Sequence, residues 1–391
     1  MSVLTGLDVL RRDDFMPLRG LRVGLLTNPS AVTRELTSAY EVFRSASLVH
    51  LRAIFSPEHG FAAAAADGAH IAPGVDARTG LPIHSLYGRT MRPTRRMLDG
   101  LDVLVCDIQD IGVRYYTYAW TISYALEAAG AAGIRVMILD RPNPLGSAVD
   151  GLPVRPTHRS IVGAQPVPVQ HGLTLGELMR LFNARWNPTP AELSVIACEG
   201  YRHGMTWEAT GLTFVPPSPA MPHLNTARQY PGACLIEGTN LSEGRGTSLP
   251  FEICGAPFID ALELADALNA QAFPGVRYRP HVFTPAAGKY SGEVCHGVQA
   301  HITDAAAYRP LMAWVGVIRT VRQLYSQSFA WLPPYRRGEK RPFDRLAGDG
   351  DLRRHIDALA PLAALAAAWN AAAVEWRALC QDSLLYEDGS A

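Results

Sequence analysis

The sequence predicts an α/β protein, with a parallel-sheet domain in its first half and a smaller α+β domain in its second half. Four apolar runs in the first half alternate with helix-like stretches, and each run ends in a polar loop. Near-continuous apolar strands separated by helices are typical of a parallel sheet that is covered on both faces. The length of 391 residues is enough for two domains. We place the boundary after Gly232, which gives domains of 1–232 and 233–391.

The predicted elements of the first half are bounded by turn residues. The four strands span residues 21–27, 49–55, 101–106 and 134–139, and residues 119–132 form the clearest helix. A further helix is predicted to begin after Thr174, because Thr174 and Glu177 have the spacing of a capping box.

The second half has a different pattern. The Pro- and Ser-rich segment 215–219 marks the passage into glycine-rich loops. Three helices are predicted there, at residues 259–270, 305–326 and 361–380. In the last of them Trp369, Ala373 and Trp376 lie at positions i, i+4 and i+7, which indicates a face packed on the core.

Composition and charge narrow the class of protein. The 36 basic residues balance the 36 acidic ones, so the formal net charge is zero. Because nucleic acids and anionic membranes bind basic protein surfaces, this balance disfavours both as main partners. The longest apolar run, 358–369, is too short to span a bilayer. No signal peptide is visible, and six scattered cysteines are typical of free thiols in a reducing compartment. We therefore expect a cytoplasmic protein, exported only if a leader precedes residue 1. We expect no nucleic-acid or membrane partner, and the sequence does not predict the oligomeric state.

Several motifs that carry well-known chemistry are missing from the sequence. It has no C-x-x-C pair, no G-x-G-x-x-G, no G-x-x-x-x-G-K-[ST], no H-E-x-x-H and no G-x-S-x-G. We therefore expect neither a bound metal nor a nucleotide cofactor, and we disfavour zinc-dependent proteolysis and α/β-hydrolase chemistry.

Glu58 is the first candidate for catalysis, because it follows a predicted strand at the edge where open α/β sheets bind ligands. Pro57 precedes Glu58, and His59 and Gly60 follow it. A carboxylic acid shielded in such a loop could keep its proton, as a general acid must. The alternative is a glutamate that caps a helix or pairs with an arginine.

The run 107–118 after the third strand is dense in hydrogen-bonding groups and aromatic rings, which suit a sugar. Its candidate residues are Gln109, Asp110, Arg114 and Tyr118. The alternative is an Asp110–Arg114 ion pair that braces the loop, with the tyrosines packed inward.

The loop after the fourth strand has the same form and contains Asp140, Arg141 and Asn143. A structural pair between aspartate and arginine is slightly favoured over ligand binding there. His171 precedes the helix predicted after Thr174 and is either a ligand contact or a structural hydrogen-bond partner.

The glycine-rich loop 237–250 contributes Asn240, Glu243 and Arg245. Glycines permit close approach of a ligand, and an arginine can hold a carboxylate through two hydrogen bonds. The alternative is an irregular loop braced by a Glu243–Arg245 ion pair.

Taken together, these segments resemble one family, the exo-β-N-acetylmuramidases of the NamZ type. The match covers nearly the whole chain and consists of residues 55–61, 81–88, 107–118, 140–144, 171–177, 217–219, 237–250, 343–348 and 384–386. The chain departs from the family pattern at Ala62-Ala63, at Gln170 and at Ala220.

The resemblance implies a Rossmann-like domain without a nucleotide, and a smaller domain that completes a cleft. It also implies release of N-acetylmuramic acid from the non-reducing end of peptidoglycan fragments, with Glu58 as the acid. The lactyl carboxylate of this sugar needs a cation, for which Arg245 and Arg114 are the candidates. The second catalytic group is Asp110, Glu243 or the acetamido oxygen of the substrate.

Two other functions fit the sequence less well. The departures from the family pattern would suit a binding or sensing protein for cell-wall amino sugars that does not catalyse. A sugar-phosphate or nucleotide enzyme would lack the glycine fingerprint that such a sheet usually carries.

Overall fold

A computed structural model describes residues 2–65, 68–69 and 72–389 of the chain, and its largest feature is a seven-stranded sheet. The strands of the first half are β1 (Arg22–Thr27), β2 (His50–Ser56), β3 (Gly74–Val75), β4 (Pro82–Ser85), β5 (Val103–Asp107), β6 (Arg135–Leu139), β7 (Val149–Asp150), β8 (Gln170–His171) and β9 (Leu193–Ile196). The sheet order is β3-β4-β2-β1-β5-β6-β9. Only β3 runs antiparallel to its neighbour.

The six parallel strands have the doubly wound order 3-2-1-4-5-6 when they are numbered along the chain. The order reverses between β1 and β5, and the carboxyl ends of these strands flank a crevice. The predicted α/β fold with a Rossmann-like parallel sheet is therefore confirmed.

The second half contains a three-stranded antiparallel sheet. Its strands are β10 (Ile253–Ala256), β11 (Val276–Phe283) and β12 (Cys295–Ile302), in the order β10-β12-β11. The helices of the described chain are α1 (Gly6–Arg12), α2 (Ala39–Ser45), α3 (Arg95–Leu98), α4 (Tyr118–Ala132), α5 (Leu175–Arg185), α6 (Trp207–Thr210), α7 (Leu224–Ala233), α8 (Ala261–Asn269), α9 (Pro310–Leu324), α10 (Pro342–Ala347), α11 (Asp351–Asp357) and α12 (Leu362–Cys380).

Local predictions from the sequence agree with these elements. The four predicted strands and the predicted helices are present, with ends that differ by a few residues. Thr174 and Glu177 form the predicted capping box at the start of α5. Trp369, Ala373 and Trp376 are buried, so the core-facing stripe of α12 is confirmed.

Two predictions about side chains and membranes can also be compared with the structure. All six cysteines are free and buried. Among the described residues, no helix combines the length and the hydropathy that crossing a bilayer would require.

The C-terminal segment is fastened to the carboxyl edge of the large sheet. The Tyr386 hydroxyl donates to the Asp140 carboxylate at 2.6 Å, and the backbone N–H of Leu385 donates to Glu177 at 2.9 Å. Thr174 and the N–H of Gly176 donate to the same Asp140 side chain. Burial raises the pKa of Asp140 to about 6, although these hydrogen bonds oppose the rise.

This arrangement makes the stability of the fold depend on pH through Tyr386. Because the pKa of Asp140 is raised in the folded protein, Asp140 contributes most to the free energy of unfolding when its carboxyl group is protonated. This contribution falls as the pH rises through about 6. Tyr386→Phe removes a donor that stabilises the ionised carboxylate. We expect a loss of about 2 kcal/mol in the free energy of unfolding well above that pKa and about half as much well below it.

Urea denaturation at two pH values measures this difference. Tyr335→Phe, on an exposed loop, is the matched control and should change neither value. Equal losses for Tyr386→Phe at both pH values would contradict the role given to the Asp140 charge.

Candidate active site

Glu58 lies in the turn that follows β2, next to the crevice where the sheet order reverses. The Gly60 N–H donates to the Pro57 carbonyl, which closes the turn, and Glu58 is buried. Its Oε2 accepts a hydrogen bond of 2.7 Å from the Thr117 hydroxyl, and its Oε1 accepts one of 3.1 Å from the N–H of Gly68. These two donors fix the position of the carboxyl group.

Glu58 forms one wall of a cavity of about 150 Å³ between the two halves of the chain. Several aromatic rings line the cavity and contact one another edge to face, including Tyr116 with Tyr118 at 4.9 Å and Tyr230 with Phe251 at 4.7 Å. Burial and the negative charge of Glu58 raise the pKa of the Tyr87 phenol, which also lines the cavity. Aromatic faces beside a carboxyl group are well suited to a sugar ring.

The opposite wall comes from the loop after α7 and carries Glu237 and Arg245. The Arg245 Nε and Nη2 atoms lie 2.8 and 2.7 Å from Oε1 of Glu237. The guanidinium group also lies over the Phe251 ring, 4.8 Å from its centroid. Burial lowers the pKa of Arg245 to about 10, so it remains charged at neutral pH.

Glu243 lies behind this wall and is held by Lys289. The Lys289 Nζ atom lies 3.0 Å from a Glu243 carboxylate oxygen and donates to the carbonyls of Ile236, Glu237 and Leu241. The other Glu243 oxygen lies 3.6 Å from Arg245. Lys289 therefore ties the glycine-rich loop together from behind the cavity.

Two bulky residues in the cavity wall have strained backbone conformations. His59 has a φ of 69° and Phe251 a φ of 62°, a region that side chains with a Cβ rarely adopt. His59 is held by a contact of 2.8 Å between its Nδ1 and the Ala65 carbonyl, and burial lowers its pKa. Such strain is concentrated at functional sites, because the surrounding structure must compensate for it.

The crevice of the sheet is closed by a loop of the protein itself. The carbonyl of Pro217 accepts hydrogen bonds from Tyr118 at 2.6 Å and from Asn28 at 3.3 Å, directly above β1. Ser218 of the same loop lines the cavity. The position where related sheets bind a dinucleotide is thus covered by residues 215–220.

Four of the residues predicted from the sequence come together in this cavity: Glu58, His59, Tyr118 and Arg245. Glu243 lies just behind them. The remaining candidates lie in other parts of the structure, with partners of their own.

Arg114 is one of these, and it lies in the core rather than in the cavity. Its Nη1 donates to the carbonyls of Leu152 and Val167, and its Nη2 donates to the carbonyl of Leu346. Burial lowers its pKa to about 10. The Asp110–Arg114 ion pair that the sequence suggested is not formed, and Arg114 instead joins segments that are distant in sequence.

The loop after β6 is also structural. Arg141 binds Asp107 through two hydrogen bonds of 2.6 and 3.0 Å, so its acidic partner is not the neighbouring Asp140. Asn143 accepts from the N–H of Leu145 and donates to the carbonyl of Leu173. These contacts brace the carboxyl edge of the sheet.

Asp110 and His171 form a buried pair away from the cavity lining. The His171 Nε2 lies 3.7 Å from Asp110 Oδ2, which also accepts from the N–H of Gly112. Gln109 donates to the carbonyls of Asp110 and Pro142. Asn240 is bound to the backbone of Ser328 and Ala330.

The structure adds cavity residues that the sequence did not single out. They are Tyr87, Tyr115, Tyr116, Thr117, Ile161, Val162, Ser218, Met221, Tyr230, Glu237 and Phe251, together with Ala220, which the sequence marked only as a departure from the family pattern. Tyr116, Thr117 and Glu237 stand inside motifs already described, whereas nothing marks Ile161 or Val162 in the sequence. In the described part of the chain, no group of three or more His, Cys, Asp or Glu side chains is placed to hold a metal ion.

The fold and the cavity define a class of protein: a two-domain α/β protein with a sugar-sized, aromatic cleft that contains carboxyl groups and a cation. The family model "Exo-beta-N-acetylmuramidase NamZ, N-terminal" matches residues 23–225, and the corresponding C-terminal model matches residues 228–386. The chain therefore belongs to the NamZ family.

Individual relatives agree with this assignment. The peptidoglycan β-N-acetylmuramidase NamZ of Bacillus subtilis (strain 168) is 43% identical over 357 residues, which are 91% of this chain and 84% of that protein. A crystal structure of a DUF1343 family protein from Bacteroides fragilis NCTC 9343 is 33% identical, with a TM-score of 0.90 over 99% of both chains. A second such structure from the same organism is 27% identical, with a TM-score of 0.77 over the whole of both chains.

Proposed function

We propose that this protein is an exo-acting glycosidase that releases β-linked N-acetylmuramic acid from the non-reducing end of peptidoglycan fragments. The observation that carries the proposal is the Glu58 carboxyl group, fixed by Thr117 and Gly68 in an aromatic cavity that also contains Arg245. The small cavity, of about 150 Å³, suits a terminal sugar better than the interior of a glycan chain.

Glu58 is the proposed acid that protonates the glycosidic oxygen as the C1–O bond breaks. The residues around it exclude bulk water, which strengthens hydrogen bonds to the leaving oxygen. Arg245 is the proposed partner of the lactyl carboxylate, because it lines the same cavity as Glu58. Arg114 is not proposed for this role, since its guanidinium group is bound to backbone carbonyls in the core.

The acetamido oxygen of the substrate is the proposed nucleophile at C1. Asp110 and Glu243 do not line the cavity, and each has partners in the protein. Attack by the acetamido oxygen, followed by water, gives retention of the anomeric configuration.

The first test is hydrolysis of para-nitrophenyl β-N-acetylmuramide compared with the matching N-acetylglucosaminide. Faster turnover of the muramide would support the proposed substrate, and NMR of the first-formed sugar should show the β-anomer. Binding of N-acetylmuramic acid without turnover of either compound would contradict the proposal in favour of a binding protein. An initial α-anomer would exclude the acetamido oxygen as nucleophile.

A further inference from the structure

Glu237 is the second carboxyl group of the cavity, and its only close cation among the described residues of the cavity wall is Arg245. Glu237 follows α7 in a short 3-10 turn, and it lines the cavity. Both Arg245 nitrogen atoms that contact it bind the same oxygen, Oε1. The ion pair therefore lies in the cavity itself, where a ligand can reach it.

The charges around Glu237 do not favour its ionised form once Arg245 moves away. Three acids, Glu58, Glu237 and Glu243, face two cations, Arg245 and Lys289. Lys289 is committed to Glu243 and to three backbone carbonyls. Burial raises the pKa values of the neighbouring Cys234 thiol and of the Tyr115 and Tyr230 phenols, so these groups stay neutral.

We propose that the carboxylate of the substrate and Glu237 compete for Arg245, and that substrate binding thereby adds one proton to Glu237. This inference rests on the proposed function, because it takes N-acetylmuramic acid as the sugar. Arg245 stays protonated and moves from one carboxylate to another. The proton comes from the solvent and joins the Glu237 carboxylate, which has lost its counterion.

The position of Arg245 allows this exchange. Its guanidinium group is stacked on the Phe251 ring, and its side chain is 23% exposed. Burial and the charge of Glu243 raise the pKa of Glu237 to about 8, and the charge of Glu58 acts in the same direction. A buried carboxylate without a counterion binds a proton more readily than one that is paired with an arginine.

The exchange would also distinguish N-acetylmuramic acid from N-acetylglucosamine. A muramic residue carries the carboxylate that releases Glu237, whereas a glucosamine residue leaves the Glu237–Arg245 pair intact. Above about pH 8, where free Glu237 is ionised, only the sugar with the carboxylate would therefore bind with uptake of a proton.

Isothermal titration calorimetry with N-acetylmuramic acid tests the inference in buffers of different ionisation enthalpy. At about pH 9, where most of the free Glu237 is ionised, we expect the wild-type protein to take up close to one proton for each sugar bound. Glu237→Gln should bind the sugar at least as tightly and take up none, because the competing carboxylate has been removed. N-acetylglucosamine is the matched ligand and should bind without proton uptake.

If Glu237→Gln does not fold, a measurement on the wild-type protein alone still tests the inference. The affinity for N-acetylmuramic acid should fall about tenfold for each pH unit above 8, and that for N-acetylglucosamine should not. Binding without proton uptake, or uptake that persists in Glu237→Gln, would overturn the inference. If the inference fails in this way but the para-nitrophenyl muramide is still hydrolysed, the proposed glycosidase function stands. If binding is linked to proton uptake but the muramide is not hydrolysed, the glycosidase proposal is overturned and the exchange at Arg245 stands.

Discussion

Glu58→Gln is expected to lower kcat on a disaccharide of N-acetylmuramic acid β-linked to N-acetylglucosamine by about 10²–10⁴-fold, the usual contribution of a general acid when the leaving group is a sugar hydroxyl. The amide has nearly the same shape as the carboxylic acid but cannot donate a proton and regenerate. It can still accept from the Thr117 hydroxyl, which now donates to Glu58 at 2.7 Å. Binding of N-acetylmuramic acid and the unfolding midpoint should therefore change little, and steady-state kinetics beside calorimetry would separate the two effects.

Thr117→Val is the companion variant, which tests how much the orientation of Glu58 matters. It removes the hydroxyl that orients Glu58 but leaves the carboxyl group in place. We expect a loss of about tenfold in kcat, the cost of one hydrogen bond. A Glu58→Gln protein that retains a tenth or more of wild-type turnover would remove Glu58 from the chemistry.

Arg245→Met is expected to reduce kcat/KM for the muramide by about 10²-fold while changing that for the glucosaminide far less. A charge-assisted hydrogen bond contributes about 1.5–3 kcal/mol, and an arginine can make two to one carboxylate. Methionine keeps an apolar chain over the Phe251 ring, so packing against that ring is largely preserved. The ratio of the two kcat/KM values is the measurement, because any general loss of structure affects both substrates equally.

Arg228→Met provides the control for loss of an arginine. Arg228 pairs with Glu208 on the surface and lines a different groove, so the ratio should remain at its wild-type value. Equal losses on both substrates for Arg245→Met would show that Arg245 supports the cavity without reading the lactyl carboxylate.

Prediction from the sequence succeeded where the signal is local. The strands are apolar runs ended by turn residues, and the capping box of Thr174 and Glu177 is a spacing of three residues. The position of Glu58 follows from the same kind of signal, because Pro57 and Gly60 mark a turn at the end of β2. A carboxyl group in that turn necessarily lies at the carboxyl edge of the sheet.

Prediction was weaker where a side chain depends on partners distant in sequence. Arg114 is charged and stands beside tyrosines, but its partners are the carbonyls of Leu152, Val167 and Leu346, which only the tertiary fold brings together. Arg141 likewise binds Asp107 across two neighbouring strands instead of an adjacent residue.

Glu237 is a cavity residue that the sequence did not mark as a candidate. It opens the glycine-rich loop that the sequence marked, where Glu243 was a candidate for catalysis and Arg245 for the substrate carboxylate, with a Glu243–Arg245 ion pair as the alternative. The structure shows that Arg245 lies closer to Glu237, at 2.7 Å, than to Glu243, at 3.6 Å. The loop reverses direction between these residues, and sequence spacing alone does not give that reversal.

The engagement of Lys289 has a practical consequence for attaching the protein to surfaces and probes. The chain contains only one other lysine, Lys340, which is exposed on a loop. Since the Lys289 amine is held by Glu243 and three carbonyls, amine-directed esters should react at Lys340 and at the terminal amine. A fluorophore or a sensor chip could thus be coupled at these two amines, without acylation of Lys289 behind the sugar cavity.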